Sequence, residues 1–477
     1  MRGLAFLLVS LCLAAHLAAG QNIAWEKRIG WRFYDELTDV ISLGDTVFIA
    51  CGTSRSYGTE DLFQNHFDAV TLICFDIYGD TLWHKPLPFY GGSARLCSGD
   101  SVGFYMVATS SFIPPTSYDG ETSLFKISYD GTVLWQRSVL GTTGNTVTQK
   151  AIRTRNGNIL IAGRRPAFNN PPNLYDMFVI GMDTAGLVYF NERYNDHQRT
   201  FGNYIEETPR GTFLASGAAG SRIWAIEIDS MGREIQRQTV YQTPTRAVLD
   251  ETACVKQAPG GRFIASGNPL SYSPNFFYLG SYSALSSSSE IWGGEKTNAS
   301  CLMPQIQDDG SIVLLNVVDR SYFTKFRADS SVVWNLAMPR VRRTVFPLLN
   351  AFTYLQDSSV VAVGIYLDDP DPMNTAPDYY FTRIQGIGRP YIPSEPTATK
   401  AVYRGLPLLI AYPTPATTTL IVHSRAKETL QLMNLSGQVV LAVRPELGGT
   451  TQLDMASLPS GMYLLRQGQA AVKVVKE

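Results

Sequence analysis

The residue types that most often carry chemistry are thinly spread along this chain of 477 residues. Of its five histidines, His16 lies in an apolar N-terminal run and His423 near the C-terminus, while His66, His84 and His197 share no metal-ligand spacing. His66 and His197 fall in long connections where an acid or base could act, although a solvated loop histidine is far commoner. The acidic run Asp368-Asp369-Pro370-Asp371 offers hard oxygen ligands for Ca2+ but lacks the spacing of a calcium loop and reads better as a solvated turn. No pair of carboxylates stands out for glycoside hydrolysis. The sequence therefore predicts neither a metal nor a cofactor, and no catalytic residue.

Aromatic and amide groups are better represented. The segments 53–68, 110–123, 164–176, 268–276 and 366–379 are long, polar connections rich in aromatic residues, Asn and Pro. They carry Phe63, Phe112, Tyr118, Phe168, Tyr175, Tyr272 and Tyr379, with Asn169, Asn170 and Asn173 among them. Aromatic faces stack on the apolar faces of sugars or on peptide side chains, and amides bond to hydroxyl or backbone groups. The same rings are equally suited to packing the loops onto whatever lies beneath.

What lies beneath is a repeat. An apolar strand, a tight turn and a large residue four positions past the turn glycine occur as Phe75-Asp76-Ile77-Tyr78-Gly79-Asp80-Thr81-Leu82-Trp83 and again as Ile127-Ser128-Tyr129-Asp130-Gly131-Thr132-Val133-Leu134-Trp135. Weaker copies place Gly186 before Phe190, Gly232 before Gln236, Ser288 before Trp292 and Ser330 before Trp334, with a seventh turn at Gly388. Successive turns are 42 to 58 residues apart, the period of blade-type repeats. Ahead of each lies a turn, usually bearing Gly, and a short apolar strand, as in 44–52, 157–163, 211–217, 261–267, 310–316 and 358–364. Seven units of about four strands follow. The seventh lacks its Trp strand, and Ala24-Trp25-Glu26-Lys27 supplies a spare copy matching Leu82-Trp83-His84-Lys85. Closure of a ring by this N-terminal strand is expected, since it removes a free sheet edge. Trp25, Trp83, Trp135, Trp292 and Trp334 then occupy one position, suited to packing between neighbouring blades. The five long connections would share one rim, the natural place for a binding site.

The repeat resembles the loose β-propeller repeats of pyrroloquinoline-quinone-like and related bacterial surface proteins. That resemblance implies the fold alone, because such rings host many functions. Quinone chemistry finds no support in an adjacent cysteine pair or an acidic Ca2+ cluster.

The tail carries a second resemblance. Ala411-Tyr412-Pro413-Thr414-Pro415-Ala416 leads into Leu420-Ile421-Val422, followed by Leu432-Met433-Asn434-Leu435-Ser436-Gly437-Gln438-Val439-Val440, by Leu458-Pro459-Ser460-Gly461-Met462-Tyr463-Leu464-Leu465 and by Lys473-Val474-Val475-Lys476. In order and spacing these blocks resemble the type A sorting domain of the type IX secretion system of Bacteroidota. Thr414 departs from the Asn usual in the first block. The resemblance assigns the sorting signal to Pro413, Pro415, Gly437, Gly461, Tyr463, Lys473 and Lys476. It implies recognition by the outer-membrane machinery and export through the periplasm to the cell surface or medium. The alternating apolar runs and turn residues predict a small β-sandwich, here expected to be immunoglobulin-like.

At the front, Arg2, an apolar run over 4–15 and Ala18-Ala19-Gly20 predict a signal peptide cleaved before Gln21. No later segment is long and apolar enough to predict a membrane-spanning helix. The expected organisation is a signal peptide at 1–20, an all-β, seven-bladed β-propeller at 21–392, a linker at 393–407 and the sorting domain at 408–477. A net charge of -1 argues against a nucleic-acid partner. Cys97, Cys254 and Cys301 are expected as buried thiols on equivalent strands, and Cys51 and Cys74, on adjacent strands, as a disulfide. The expected function is binding or adhesion towards a glycan, peptide or protein at the rim. The alternatives are a scaffold within a surface complex and, third, a glycan hydrolase or lyase.

Overall fold

The computed structural model describes residues 22–476 except 31–33, 45, 61–65, 91, 111–120, 142–145, 168–174, 196–198, 243–248, 250–251, 269–275, 283–289, 298–299, 302–303, 318–320, 330, 339–345, 356, 368–376, 388–408, 413–417, 425–427, 435–436, 446–449 and 469. Apart from a single turn of 3-10 helix at Pro259–Gly261, the regular structure among these residues is antiparallel β-sheet.

The body is a β-propeller of seven sheets, six of them built in chain order from the axis outward. The first sheet comprises Asp35–Ser42, Val47–Glu60, His66–Asp76 and Thr81–Tyr90, and the second Ser93–Cys97, Gly103–Thr109, Glu121–Ser128 and Val133–Gly141. The third runs Val147–Arg153, Ile159–Pro166, Tyr175–Met182 and Val188–Tyr194, and the fourth Thr200–Glu207, Phe213–Ala219, Arg222–Ile228 and Glu234–Gln242. The fifth contains Cys254–Gln257, Phe263–Gly267, Phe276–Tyr282 and Glu290–Thr297. In the sixth the innermost position is split between Ser300–Cys301 and Gln305–Ile306, outside which lie Ile312–Val317, Ser321–Phe326 and Val332–Ala337. The seventh holds Phe346–Tyr354, Val360–Leu367 and Asp378–Gln385, and its outer strand is the N-terminal Asn22–Ile29.

The ring therefore closes as the spare Trp25 strand requires. Trp25 pairs with Arg383, Thr382 Oγ1 donates to Trp25 O at 2.7 Å, and Tyr380 OH donates to Glu26 Oε2 at 2.8 Å. Neighbouring sheets are in contact all the way round, the seventh meeting the first through Asp35–Ser42 and Phe346–Tyr354.

Four successive seams between sheets follow one rule. The outer-strand aromatic of one sheet, with the residue two places on, covers the glycine turn of the next. Trp25 and Lys27 cover Gly79, Trp83 and Lys85 cover Gly131, Trp135 and Arg137 cover Gly186, and Phe190 and Glu192 cover Gly232. Two indoles also donate a hydrogen bond to that turn, Trp25 Nε1 to Ile77 O at 2.7 Å and Trp83 Nε1 to Tyr129 O at 3.0 Å. The turns demand glycine twice over. Gly131 has φ +83°, and a Cβ there would come within 2.8 Å of Lys85 Cγ and 3.0 Å of a Trp83 ring carbon. The parallel turn between the first and second strands of a unit uses glycine for its backbone alone at Gly211, where φ is +80° and a Cβ would meet nothing within 4 Å. In the seventh sheet Ser358 takes this place at φ +70°, the one non-glycine residue with positive φ among those described.

The tail forms two sheets, one of Leu409–Tyr412, Thr419–Ser424 and Thr450–Asp454, the other ordered Val439–Val443, Leu430–Asn434, Gly461–Gln467, Ala470–Lys476. Leu420 and Val422 of the first pack with Leu432, Leu465 and Val474 of the second in a single core, so the tail is a sandwich.

Substituting alanine at two glycines separates the backbone and packing terms of a seam. Gly211→Ala should cost about 1 kcal/mol, the strain of an L-residue in the left-handed region. Gly131→Ala should cost about 2–3 kcal/mol, since the methyl also displaces Trp83. Denaturant unfolding of both variants measures the difference; equal losses would mean the seam tolerates an opened indole.

Candidate functional site

The innermost strands bound a cavity of about 250 Å3 on the propeller axis. Thr38 and Asp39 of the first sheet, Arg95 of the second, Gln149 and Lys150 of the third, Gln305 and Leu315 of the sixth, and Asn350, Ala351 and Phe352 of the seventh line it, with Thr252 ahead of the fifth.

Its polar lining comes from a repeated irregularity. Four innermost strands slip by one residue against their second strands, skipping Thr38, Gln149, Asn203 and Asn350. Such β-bulges bend a strand and re-aim the extra side chain. Three of these side chains bond to the chain of the next sheet around the ring: Thr38 Oγ1 donates to Ala94 O at 3.2 Å, Asn203 Nδ2 to Ala253 O at 2.9 Å, and Asn350 Nδ2 to Leu37 O at 2.9 Å. The fourth accepts from the sheet before it, Arg95 Nη2 donating to Gln149 Oε1 at 3.3 Å. Three of the four bulge residues are also cavity walls.

The charges in the cavity are held differently. Asp39 accepts backbone N–H groups on both oxygens, from Val40 at 2.9 Å and from Leu96 of the second sheet at 2.9 Å. Arg95 donates to carbonyls, Nε to Gln149 O at 3.0 Å and Nη1 to Ala94 O at 2.9 Å. Neither Arg95 nor Lys150 has an ion-pair partner among the described residues. Phe352 stands in an aromatic row, 5.2 Å from Phe323 and 5.7 Å from Tyr354 between ring centroids. Two cations, three amides and an aromatic ring thus line one cavity.

Further round the ring, Glu206 sits on the innermost strand of the fourth sheet. Part of the residue is accessible, yet its carboxyl is enclosed by protein and accepts Gln257 N–H at 2.6 Å and Tyr204 OH at 3.2 Å. Burial pushes this carboxyl up to about 7. Lys256 Nζ lies 4.4 Å from the Tyr204 ring centroid.

The aromatic rim residues fare unevenly. Phe63, Phe112, Tyr118, Phe168 and Tyr272 lie outside the described residues, as do Pro413 and Pro415. Tyr175 is half-buried at the seam of the third and fourth sheets, 5.9 Å from Phe201, with the guanidiniums of Arg164 and Arg199 at 5.3 and 5.6 Å from its ring. Tyr379 is fully buried, because its place on the third strand of the seventh sheet points it into the core shared with Leu37, Phe48 and Phe75, so it presents no ring to solvent. His84 also packs inside, 2.6 Å from Thr71 Oγ1 and edge-on to Tyr57 and Tyr379, and burial lowers its imidazole to about 4. Among the described residues no group of three His, Cys, Asp or Glu side chains is placed to hold a metal.

The expected Cys51–Cys74 disulfide does not form. Cys51 pairs with Leu72 and Cys74 with Ile49, a diagonal relation of about 7–8 Å that exceeds ordinary disulfide reach. Both are free, buried thiols, as are Cys97 and Cys254.

In the tail, Gly437 has φ +81° in a turn where Gln438 N–H donates to Asn434 Oδ1 at 2.9 Å. Tyr463 is buried and donates to Pro459 O at 2.7 Å. Gly461 pairs with Lys476, itself buried, and Lys473 with Leu464, so Gly461, Tyr463, Lys473 and Lys476 belong to the last hairpin, while Gly437 turns between two other strands of the same sheet.

Fold and tail together define an exported β-propeller protein. Residues 410–477 match the family model of the secretion system C-terminal sorting domain. The tail thus engages the type IX secretion machinery, and the protein is exported to the cell surface or extracellular space. No helix among the described residues is long and apolar enough to cross a membrane. No curated protein matches the sequence. Solved structures similar to the chain include the Dos1 propeller (10% identity, TM-score 0.47, covering 79% of this chain and 97% of that one). A protein of unknown function from Dyadobacter fermentans aligns at 12% identity and TM-score 0.41, over 77% of this chain and 99% of that one. One from Bacteroides caccae aligns at 12% identity and TM-score 0.36, over 64% and 94%.

Glu206 binds its proton more tightly in the folded protein than in the unfolded chain. Its contribution to stability is therefore full below its unfolded value of 4.5 and is lost as pH rises through about 7. Across that window the native protein should lose stability relative to Glu206→Gln, measured by denaturant unfolding at several pH values. Parallel curves for the two proteins would place the carboxyl in water.

Proposed function

We propose that this protein is a secreted binding module, delivered to the cell surface by its tail and taking a small polar ligand on the propeller. The observation that carries this reading is the axial cavity, where inner strands from five sheets converge and bulges turn amide and hydroxyl groups inward. Rigid strands hold those groups in place, which lowers the entropic cost of binding. Tyr175, with Arg164 and Arg199 over its ring, would extend recognition to the long-loop rim for a larger glycan or peptide. Delivery would use a cleaved segment at 1–20, a linker at 393–407 and a sorting signal centred on Pro413, Pro415, Gly437, Gly461, Tyr463, Lys473 and Lys476.

A thermal-shift screen of the full chain against glycans, peptides, nucleotides and Ca2+ tests the proposal. A ligand at a hundred times its Kd adds about 2.7 kcal/mol, so one class should raise Tm reproducibly. No shift with any class, together with stable co-purification with another surface protein, would replace the binding module with a scaffold.

A further inference from the structure

We propose that the axial cavity binds a single acidic sugar unit, its carboxylate held by Arg95 and Lys150; this rests on the binding-module reading and names its ligand. The charge balance of the cavity supplies the first reason. Asp39 is its one acidic wall residue, and both carboxylate oxygens are already taken by backbone N–H groups of Val40 and Leu96. The Arg95 guanidinium is oriented by three hydrogen bonds, to Gln149 O, Gln149 Oε1 and Ala94 O, none of them to a carboxylate. A guanidinium fixed in this way retains N–H donors on Nη1 and Nη2 in the fork geometry that matches a carboxylate. Lys150, on the neighbouring innermost strand, adds an ammonium with no hydrogen-bond or ion-pair partner among the described residues. Two cations against one carboxylate leave the cavity lining with a net positive charge, which favours an anion there.

Size and the remaining walls narrow the anion to a sugar acid. A cavity of about 250 Å3 is below the usual range for drug-sized ligands and suits one ring. Gln305 offers an amide to ring hydroxyls and Asn350 its amide oxygen, its Nδ2 being taken by Glu36 and Leu37, and Phe352 offers an aromatic edge or face to the sugar's C–H groups. Inorganic phosphate would use the cations but neither the Gln305 amide nor the Phe352 ring.

Calorimetric titration of the full chain with glucuronate, galacturonate, glucose and N-acetylglycine tests the assignment. A uronate should bind, glucose should bind at least tenfold more weakly, and raising the salt concentration should weaken the uronate. Lys150→Gln should reduce uronate affinity about tenfold, while Lys150→Arg, which keeps the charge, should retain it. Because the Lys150 ammonium bonds to no described residue, its variants should keep the native Tm, and an unchanged affinity in Lys150→Gln overturns the proposal. Binding of glucose as tight as that of a uronate also overturns it. Tight binding of N-acetylglycine alone would transfer the cavity to peptide carboxyl termini and leave the binding-module reading intact. Silence from all four probes, with a thermal shift from another class, removes the acidic-sugar assignment only; silence in both experiments removes both.

Discussion

The contact between an outer-strand aromatic and the glycine turn of the next sheet governs the rest of the body. A four-stranded sheet is hydrophobic on both faces here and cannot stand alone, so each must be clamped to its neighbours at a fixed tilt. An indole that is about half buried, removing roughly 100 Å2 from water, contributes about 2.5 kcal/mol at a seam that has one. Its N–H, bonded to a turn carbonyl in the Trp25 and Trp83 seams, fixes direction as well as distance. Glycine in the turn is what lets the ring approach. With these contacts repeated at four successive seams, the innermost strands are held edge to edge at the centre, and a cavity arises because seven narrow strands cannot fill the axis.

The inner strands are tied by a second, polar set of contacts. Thr38, Asn203 and Asn350 reach from a bulge to the chain of the next sheet, and Asp39 and Glu206 accept backbone N–H groups of Leu96 and Gln257. A bulge removes one ladder hydrogen bond and exposes backbone groups; the bulged side chains restore partners across the seam. Thr38, Asp39 and Asn350 therefore both join the sheets and line the cavity, which couples any ligand there to the geometry of the ring.

That coupling shaped which residues were visible beforehand. The Trp seams could be read directly, because strand, turn and aromatic lie within nine consecutive residues and repeat. The bulges could not. A one-residue slip leaves the apolar alternation almost intact, and its only trace is a polar residue recurring at Thr38, Gln149, Asn203 and Asn350, scattered among other polar inner-strand positions. Tyr379 illustrates the opposite error: a loop-edge aromatic by position, it is buried by the parity of its strand. Cys51 and Cys74 share adjacent strands as expected, but register sets them on a diagonal.

By itself, then, the sequence determined the class of the body, the use of the N-terminal strand to close it and the address carried by the tail, all of which rest on local, repeated or contiguous patterns. Tertiary structure alone decided where Arg95, Lys150, Gln149, Asn350 and Phe352 meet. These residues are separated by up to some 250 positions and belong to different sheets, and no local preference relates them. Their convergence depends on strand register at the axis, which is set by side-chain packing across seams and not by any short stretch of chain.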